Sequence, residues 1–313
     1  MTQFPPPGTP RARIPHPQQP PPPYPRIGPG LWRRGLYGGL AAWALTAGAV
    51  YATRSTAPLP ALILLGGFLV PVVFVLWAYE RHGRDLGVSA VLGCFLAGGT
   101  LGAAGAVLAE AHLLRPRLGM FLWLALLEEA AKLGVLMFTL RRQPGIRGVR
   151  AGLVLGAAVG LGFAAPESIG YAFDAALTTA GDDPRTLLET ELLRGVPAPL
   201  GHGLWTAIAG GALLSLRRPD GRFRYAPPVI AACMGVCLLH TLWDSTHGIA
   251  VRLVARLTGT DFGPQPFAPG RSGAAQEHLF TLFSLGGLAL VALAGIGWVR
   301  SLARRGTPWR NTP

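Results

Sequence analysis

Charge is what this chain has least of. Only 14% of its 313 residues are charged, against about 25% in a typical soluble domain. Lysine is nearly absent: Lys132 stands alone beside 27 arginines. Cysteine is scarce as well, and Cys94, Cys233 and Cys237 all fall in apolar runs, where a thiol behaves as a small hydrophobe. No disulfide framework follows. Cys233 and Cys237 share a helix face, but two thiols without further ligands do not make a zinc site. Several signatures are missing too. There is no H-E-x-x-H motif, no glycine-rich phosphate loop, no convincing Ser–His–Asp set and no pair of transmembrane aspartates.

The missing charge is concentrated in windows long enough to span a bilayer, which takes about 20 apolar residues. Eight such spans can be drawn: Gly35–Thr53, Ser55–Tyr79, Leu86–Ala109, Leu118–Leu140, Ala151–Phe173, Gly195–Leu216, Tyr225–Val251 and Leu279–Val299. The expected fold class is therefore all-α, a polytopic transmembrane helical bundle, with the membrane domain covering 31–302. Residues 1–30 hold 12 prolines and read as a disordered, proline-rich cytoplasmic tail. Pro20 to Tyr24 has the look of a ligand for a proline-binding module. The tail is too long and polar to begin a cleaved signal peptide, so the first apolar helix is expected to stay as an anchor. Residues 303–313 form a second cytoplasmic tail.

The formal net charge is +13, which raises nucleic acid as a partner. The arginines, however, lie between apolar runs rather than on one face, so no nucleic-acid partner is expected and the bilayer explains them. With the N-terminus inside, 19 arginines fall in inner segments and eight in outer loops. The bias repeats loop by loop, as the positive-inside rule requires, and puts both ends in the cytoplasm. Two outer stretches, Thr186–Arg194 and Val251–Leu257, have apolar and charged residues at helical spacing. They read as short interfacial helices, with a plain solvated loop as the alternative. Gly152, Gly156 and Gly160 recur every four residues, a spacing that lets a neighbouring helix backbone come close. The fifth span is accordingly expected to be central.

The fourth span contains Leu126-Leu127-Glu128-Glu129-Ala130-Ala131-Lys132. Each charge at a helix centre costs roughly 3 kcal/mol on insertion scales. Glu128 and Lys132 share a face, whereas Glu129 points about 100° away and needs another partner. A structural ion pair would explain one acid but not the second. The fifth span adds Glu167 beside Pro166, which is expected to kink the helix and open a polar cavity. The sixth opens on His202. The seventh carries His240 and Asp244 one turn apart, a ligand with its orienting partner. His247 lies near the outer end, and His16, His82, His112 and His278 are given no role.

Depth unites the set. At about 1.5 Å per residue, Glu128, Glu129, Glu167, His202 and His240 fall at one level between the midplane and the outer surface. Three glutamates and two histidines can bind a divalent metal, with zinc favoured by imidazole. A remaining carboxylate can activate water.

Glu128-Glu129-x-x-Lys132, Phe163-x-x-x-Glu167, His202 and His240-x-x-x-Asp244 occur in that order on successive helices. The ordered set resembles the PrsW family of intramembrane proteases, related to the CAAX prenyl protease and bacteriocin-processing group. The resemblance covers roughly residues 35–300. It implies a multi-pass protein of the bacterial plasma membrane that cleaves a membrane-anchored regulator, typically an anti-sigma factor, on the extracytoplasmic side. The CAAX relatives carry His in place of Glu167 and commonly Asn in place of Asp244. A prenylated substrate is therefore less expected.

The site is read as follows. Glu128 is the general base on a water, and Glu129 completes the catalytic doublet. Glu129, Glu167, His202 and His240 are candidate metal ligands or transition-state stabilisers. Lys132, Asp244 and Phe163 support them. Without a metal, Glu128 activates water and the histidines hold the oxyanion. A proton- or cation-coupled transporter is the reading from another class. It should show repeated halves, which the sequence lacks.

Overall fold

A computed structural model describes residues 30–113, 119–178, 184–195, 197–260 and 273–305. The expected proline-rich tail, apart from Gly30, and residues 306–313 lie outside the described residues. Among the described residues every element is helical and no strand occurs. The helices are α1 (Leu31–Thr53), α2 (Leu59–Ala78), α3 (Val88–Ala97), α4 (Ala103–Leu113), α5 (Met120–Leu140), α6 (Val149–Thr178), α7 (Pro184–Gly195), α8 (His202–Ser215), α9 (Pro227–Thr258) and α10 (Ala274–Arg305). A π-turn at Tyr79–Gly83 extends α2, and another at Gly98–Gly102 joins α3 to α4.

Among the described residues five helical stretches are long and apolar enough to cross a membrane: Leu59–Gly83, Val88–His112, Val149–Leu177, Pro227–Thr258 and Ala274–Arg305. The other three of the expected eight differ for separate reasons. α1, with its glycines, threonines and tyrosines, is less apolar. α5 carries Glu128, Glu129 and Lys132 within its 21 residues. The expected sixth span, Gly195–Leu216, is interrupted: a 3-10 turn at Ala198–Leu200 leads to Gly201 (φ −97°, ψ −113°), and α8 starts at His202. Its 14 residues give about 21 Å of helix, short of a bilayer core of about 30 Å. Thr186–Arg194 does form a helix, α7, while Val251–Leu257 continues α9 without a break. α6 also runs unbroken through Pro166.

The core sits around α6. This helix is flanked by α2 and α3 on one side and packs most closely against α8 on another. The close packing follows from the glycine stripe. A Cβ at Gly152, Gly156 or Gly160 would collide with the backbone carbonyl of Gly210, Thr206 or His202 respectively. Gly162 meets the Phe95 carbonyl on the α3 side in the same way. The glycines put no side chain of their own into the seam, so the two backbones lie in direct contact.

Arg217, in the loop after α8, is buried. Its guanidinium donates to the carbonyls of Leu140, Gln143, Ile146 and Gly221 and lies 4.5 Å from the Phe223 ring centroid. One arginine thus ties the last residue of α5 to the loop that follows it and to the loop after α8. At the other side of the bundle, Trp43 of α1 donates its indole N–H to Glu191 of α7 at 2.6 Å.

The seam gives a direct test. Gly156→Ala puts a methyl against the Thr206 carbonyl and is expected to cost about 1–3 kcal/mol. Gly134→Ala faces open space and is expected to be neutral or to stabilise α5 by up to about 1 kcal/mol. Thermal unfolding of the purified variants in detergent measures both, and the opposite ranking contradicts the backbone seam.

Candidate active site

α5, α6, α8 and α9 bring their polar residues to one layer. The glutamates of α5 face the bundle interior, while large apolar residues of the same helix, Phe121, Trp123 and Phe138, face outward. Glu128, Glu129 and Lys132 are all buried, and Lys132 is 0% exposed. Such a side chain survives in an apolar interior only with full pairing. Its ammonium donates to Glu128 Oε2 at 3.0 Å and Glu129 Oε1 at 2.8 Å, and meets His202 Nδ1 at 2.7 Å. It also lies 4.0 Å from the ring centroid of Phe163, a cation–π contact on its one remaining side. Lys132 therefore serves both acids, being four residues from one and three from the other. The expectation that Lys132 pairs with Glu128 alone is thereby corrected, since a spacing of three also brings side chains together on a helix.

Each histidine is held between carboxylates. His202 Nε2 is 2.7 Å from Glu167 Oε2, and its Nδ1 faces Lys132 and, at 3.9 Å, Glu128. His240 Nε2 is 3.4 Å from Asp244 Oδ2, and its Nδ1 is 3.2 Å from Glu129 Oε1. Nε2 of His202 thus sits beside Glu167 and Nε2 of His240 between Asp244 and, at 3.8 Å, Glu128, while both Nδ1 atoms face the glutamate doublet and its lysine.

Three participants go beyond the residues expected from the sequence. Thr206 is buried and donates to Glu129 Oε2 at 3.4 Å. Trp205 stacks on His240 with centroids 4.4 Å apart. Both follow His202 by one helical turn, and that spacing is the sequence signal for them. Glu110 falls just outside the expected third span, which ends at Ala109. The helix continues to Leu113 and carries Glu110 into electrostatic range of Glu128 and Glu167. His247 packs on Phe280 with centroids 5.7 Å apart and joins no part of this layer.

The donor set fits a metal ion. Glu128, Glu129, His202 and His240 each offer one ligand atom, all within 4.8 Å of one another. Oxygen and imidazole donors in this number suit a first-row divalent cation. Charge balance points the same way, since Glu128, Glu129, Glu167 and Asp244 surround a single ammonium. His240 Nδ1 is buried without a hydrogen-bond partner and faces the Glu129 carboxylate at 3.2 Å, an arrangement that a cation between them would satisfy. Glu167 is not among the four converging residues and reaches the cluster through His202.

A sequence model of the PrsW family intramembrane metalloproteases matches residues 84–262, more than half of the chain and every residue of the layer just described. No curated protein and no solved structure matches. The buried acid–imidazole layer and the matched segment coincide, and the chain belongs to the PrsW family of intramembrane metalloproteases.

Proposed function

We propose that this chain hydrolyses a peptide bond of a membrane-anchored protein in the outer half of the bilayer, with Glu128 as the base that takes a proton from the attacking water. The observation that carries this reading is the convergence of Glu128, Glu129, His202 and His240, from α5, α8 and α9, within 4.8 Å inside a membrane domain. Four ionisable groups at that depth are costly unless they perform chemistry.

Glu129, His202 and His240 are the residues to hold a divalent ion, with zinc the best match to two imidazoles. Such an ion supplies Lewis-acid polarisation of the scissile carbonyl. The chain's own residues do the rest. Glu167 and Asp244 orient the two imidazoles through Nε2. Thr206 fixes one oxygen of Glu129. Lys132 balances the charge of the doublet and, with Phe163 behind it, keeps Glu128 and Glu129 in register. Glu128 receives the water proton and returns it to the leaving amine nitrogen, the ordinary cycle of a positioned carboxylate.

The arginine distribution places the layer toward the extracytoplasmic side. α8 supports that placement, because His202 lies about 20 Å along the helix from the Arg217 loop. A membrane-anchored regulator such as an anti-sigma factor, in a bacterial plasma membrane, is the substrate class suggested by the family resemblance.

Cells carrying wild-type protein are compared with cells carrying Glu128→Gln or His240→Ala by sequencing the new N-termini of membrane-protein fragments. At least one fragment is expected with wild type and with neither variant. Equal fragment patterns at equal protein abundance overturn the protease reading.

The metal has its own test. Treating the purified protein with a chelator is expected to abolish cleavage, and one equivalent of zinc to restore it. Asp244→Asn is expected to lower metal affinity 10- to 100-fold, read as bound metal per chain by elemental analysis. Lys132 already presents a cation to three of the four converging residues. Full cleavage by metal-free protein would assign the cationic role to Lys132 instead.

A further inference from the structure

Trp205 is 0% exposed, and its indole Nε1 is buried without a hydrogen-bond partner. A buried donor left unsatisfied is unfavourable, and native structures rarely keep one without a reason. The ring has a clear packing duty. It stacks on His240 with an interplanar angle of 28°, meets His202 edge-on with centroids 5.2 Å apart, and abuts Trp243 at 5.7 Å. Its Cζ2–Cη2 edge lies along Gly201, the non-helical residue just before His202. An apolar aromatic ring performs all of this packing without burying a donor, so packing alone does not account for the N–H.

The neighbouring donors are committed elsewhere. Each histidine sets its Nε2 beside a carboxylate, Glu167 at 2.7 Å or Asp244 at 3.4 Å, and turns Nδ1 toward the doublet. The Lys132 ammonium is shared by Glu128, Glu129 and His202. Thr206 gives its proton to Glu129. Hydrolysis needs a donor for the oxygen that becomes negative, and Trp205 is the buried donor of the layer that still has a hydrogen to give.

We infer that Trp205 is a further catalytic residue, whose indole N–H binds the carbonyl oxygen of the scissile peptide and stabilises the oxyanion. This rests on the protease reading above. In the step, the water oxygen bonds to the carbonyl carbon and the water proton passes to Glu128. The carbonyl π pair moves onto the oxygen that Trp205 holds. Collapse of the adduct breaks the C–N bond, and Glu128 returns the proton to the departing nitrogen. The apolar walls around Trp205 strengthen the N–H···O⁻ contact, because water does not compete there.

The test uses full-length protein in detergent. Its substrate is a fluorogenic peptide spanning the cut site of the membrane protein that wild type cleaves and Glu128→Gln does not. Trp205→Phe keeps an aromatic face on His240 and loses the N–H. A second variant carries 3-benzothienylalanine at position 205, which exchanges only the N–H for sulfur and keeps the ring size, so it decides the matter if Trp205→Phe folds poorly. The expected result is a fall in kcat of about 10²- to 10³-fold, with KM, thermal midpoint and bound metal close to wild type. A kcat within about threefold of wild type in the benzothienyl variant overturns the proposal and leaves the indole a packing role, with an ordered water as its partner. A rise in KM alone also overturns it, since that marks uniform binding rather than transition-state stabilisation. If wild type cleaves nothing that Glu128→Gln spares, the protease reading itself fails, an outcome separate from these.

Discussion

The Lys132 ammonium, closed inside an apolar bundle, is the constraint around which the rest is organised. Its contacts at 2.7–3.0 Å bind α5 internally through Glu128 and Glu129 and reach α8 through His202. Phe163 of α6 covers the remaining direction. Removing any partner leaves a charge in a medium that does not solvate it, which is why buried ionic groups come as complete sets. The set here is complete and still short of positive charge, with four carboxyl groups around one ammonium. That shortage is a chemical property of the site. It suits the layer to a divalent ion, for which four of these residues offer converging ligand atoms.

Charge alone does not set the position of α8 in the layer; the glycine seam between α6 and α8 does that. The close approach at Gly160 is to the carbonyl of His202, the first residue of α8, and to the hydroxyl of Thr206. The same contact that packs the two helices therefore sets the height of His202 and aims Thr206 at Glu129. Phe163 lies one turn further along α6, and Glu167 another turn beyond. Packing and chemistry here share residues, and a methyl group at Gly160 disturbs both at once.

The sequence makes some of this plain and hides the rest for identifiable reasons. Glu128, Glu129, Glu167, His202, His240 and Asp244 are visible because polar residues stand out in apolar helices, and their shared depth follows from a constant rise per residue. The glycine stripe is legible because a period of four small residues on one helix face marks a seam where backbones meet. Trp205 and Thr206 are hidden because a tryptophan and a threonine in an apolar run carry no polar contrast. Only the direction of the helix face shows that they turn toward His202. The end of α4 is hard to read because helix ends have the weakest signal, and Glu110 is lost with it. The short α8 is hidden because hydropathy reports apolar length and says nothing of a backbone that breaks inside it.

That break brings irregular backbone to the edge of the layer. Irregular backbone is tolerated at membrane depth only where it is buried in protein or borders a wet cavity. The 3-10 turn at Ala198–Leu200 and the non-helical Gly201 lie between α7 and the first residue of α8. The chain thus gives up helix beside His202. Two consequences follow from the same geometry. The amide groups at the start of α8 lack intrahelical acceptors, so the positive end of that helix faces a layer rich in carboxylates. The polar backbone of the turn also gives water something to bind in an otherwise apolar wall. An uninterrupted sixth helix would have turned its amides inward to its own carbonyls, whereas a helix that starts inside the bundle leaves them beside the carboxylates of the layer.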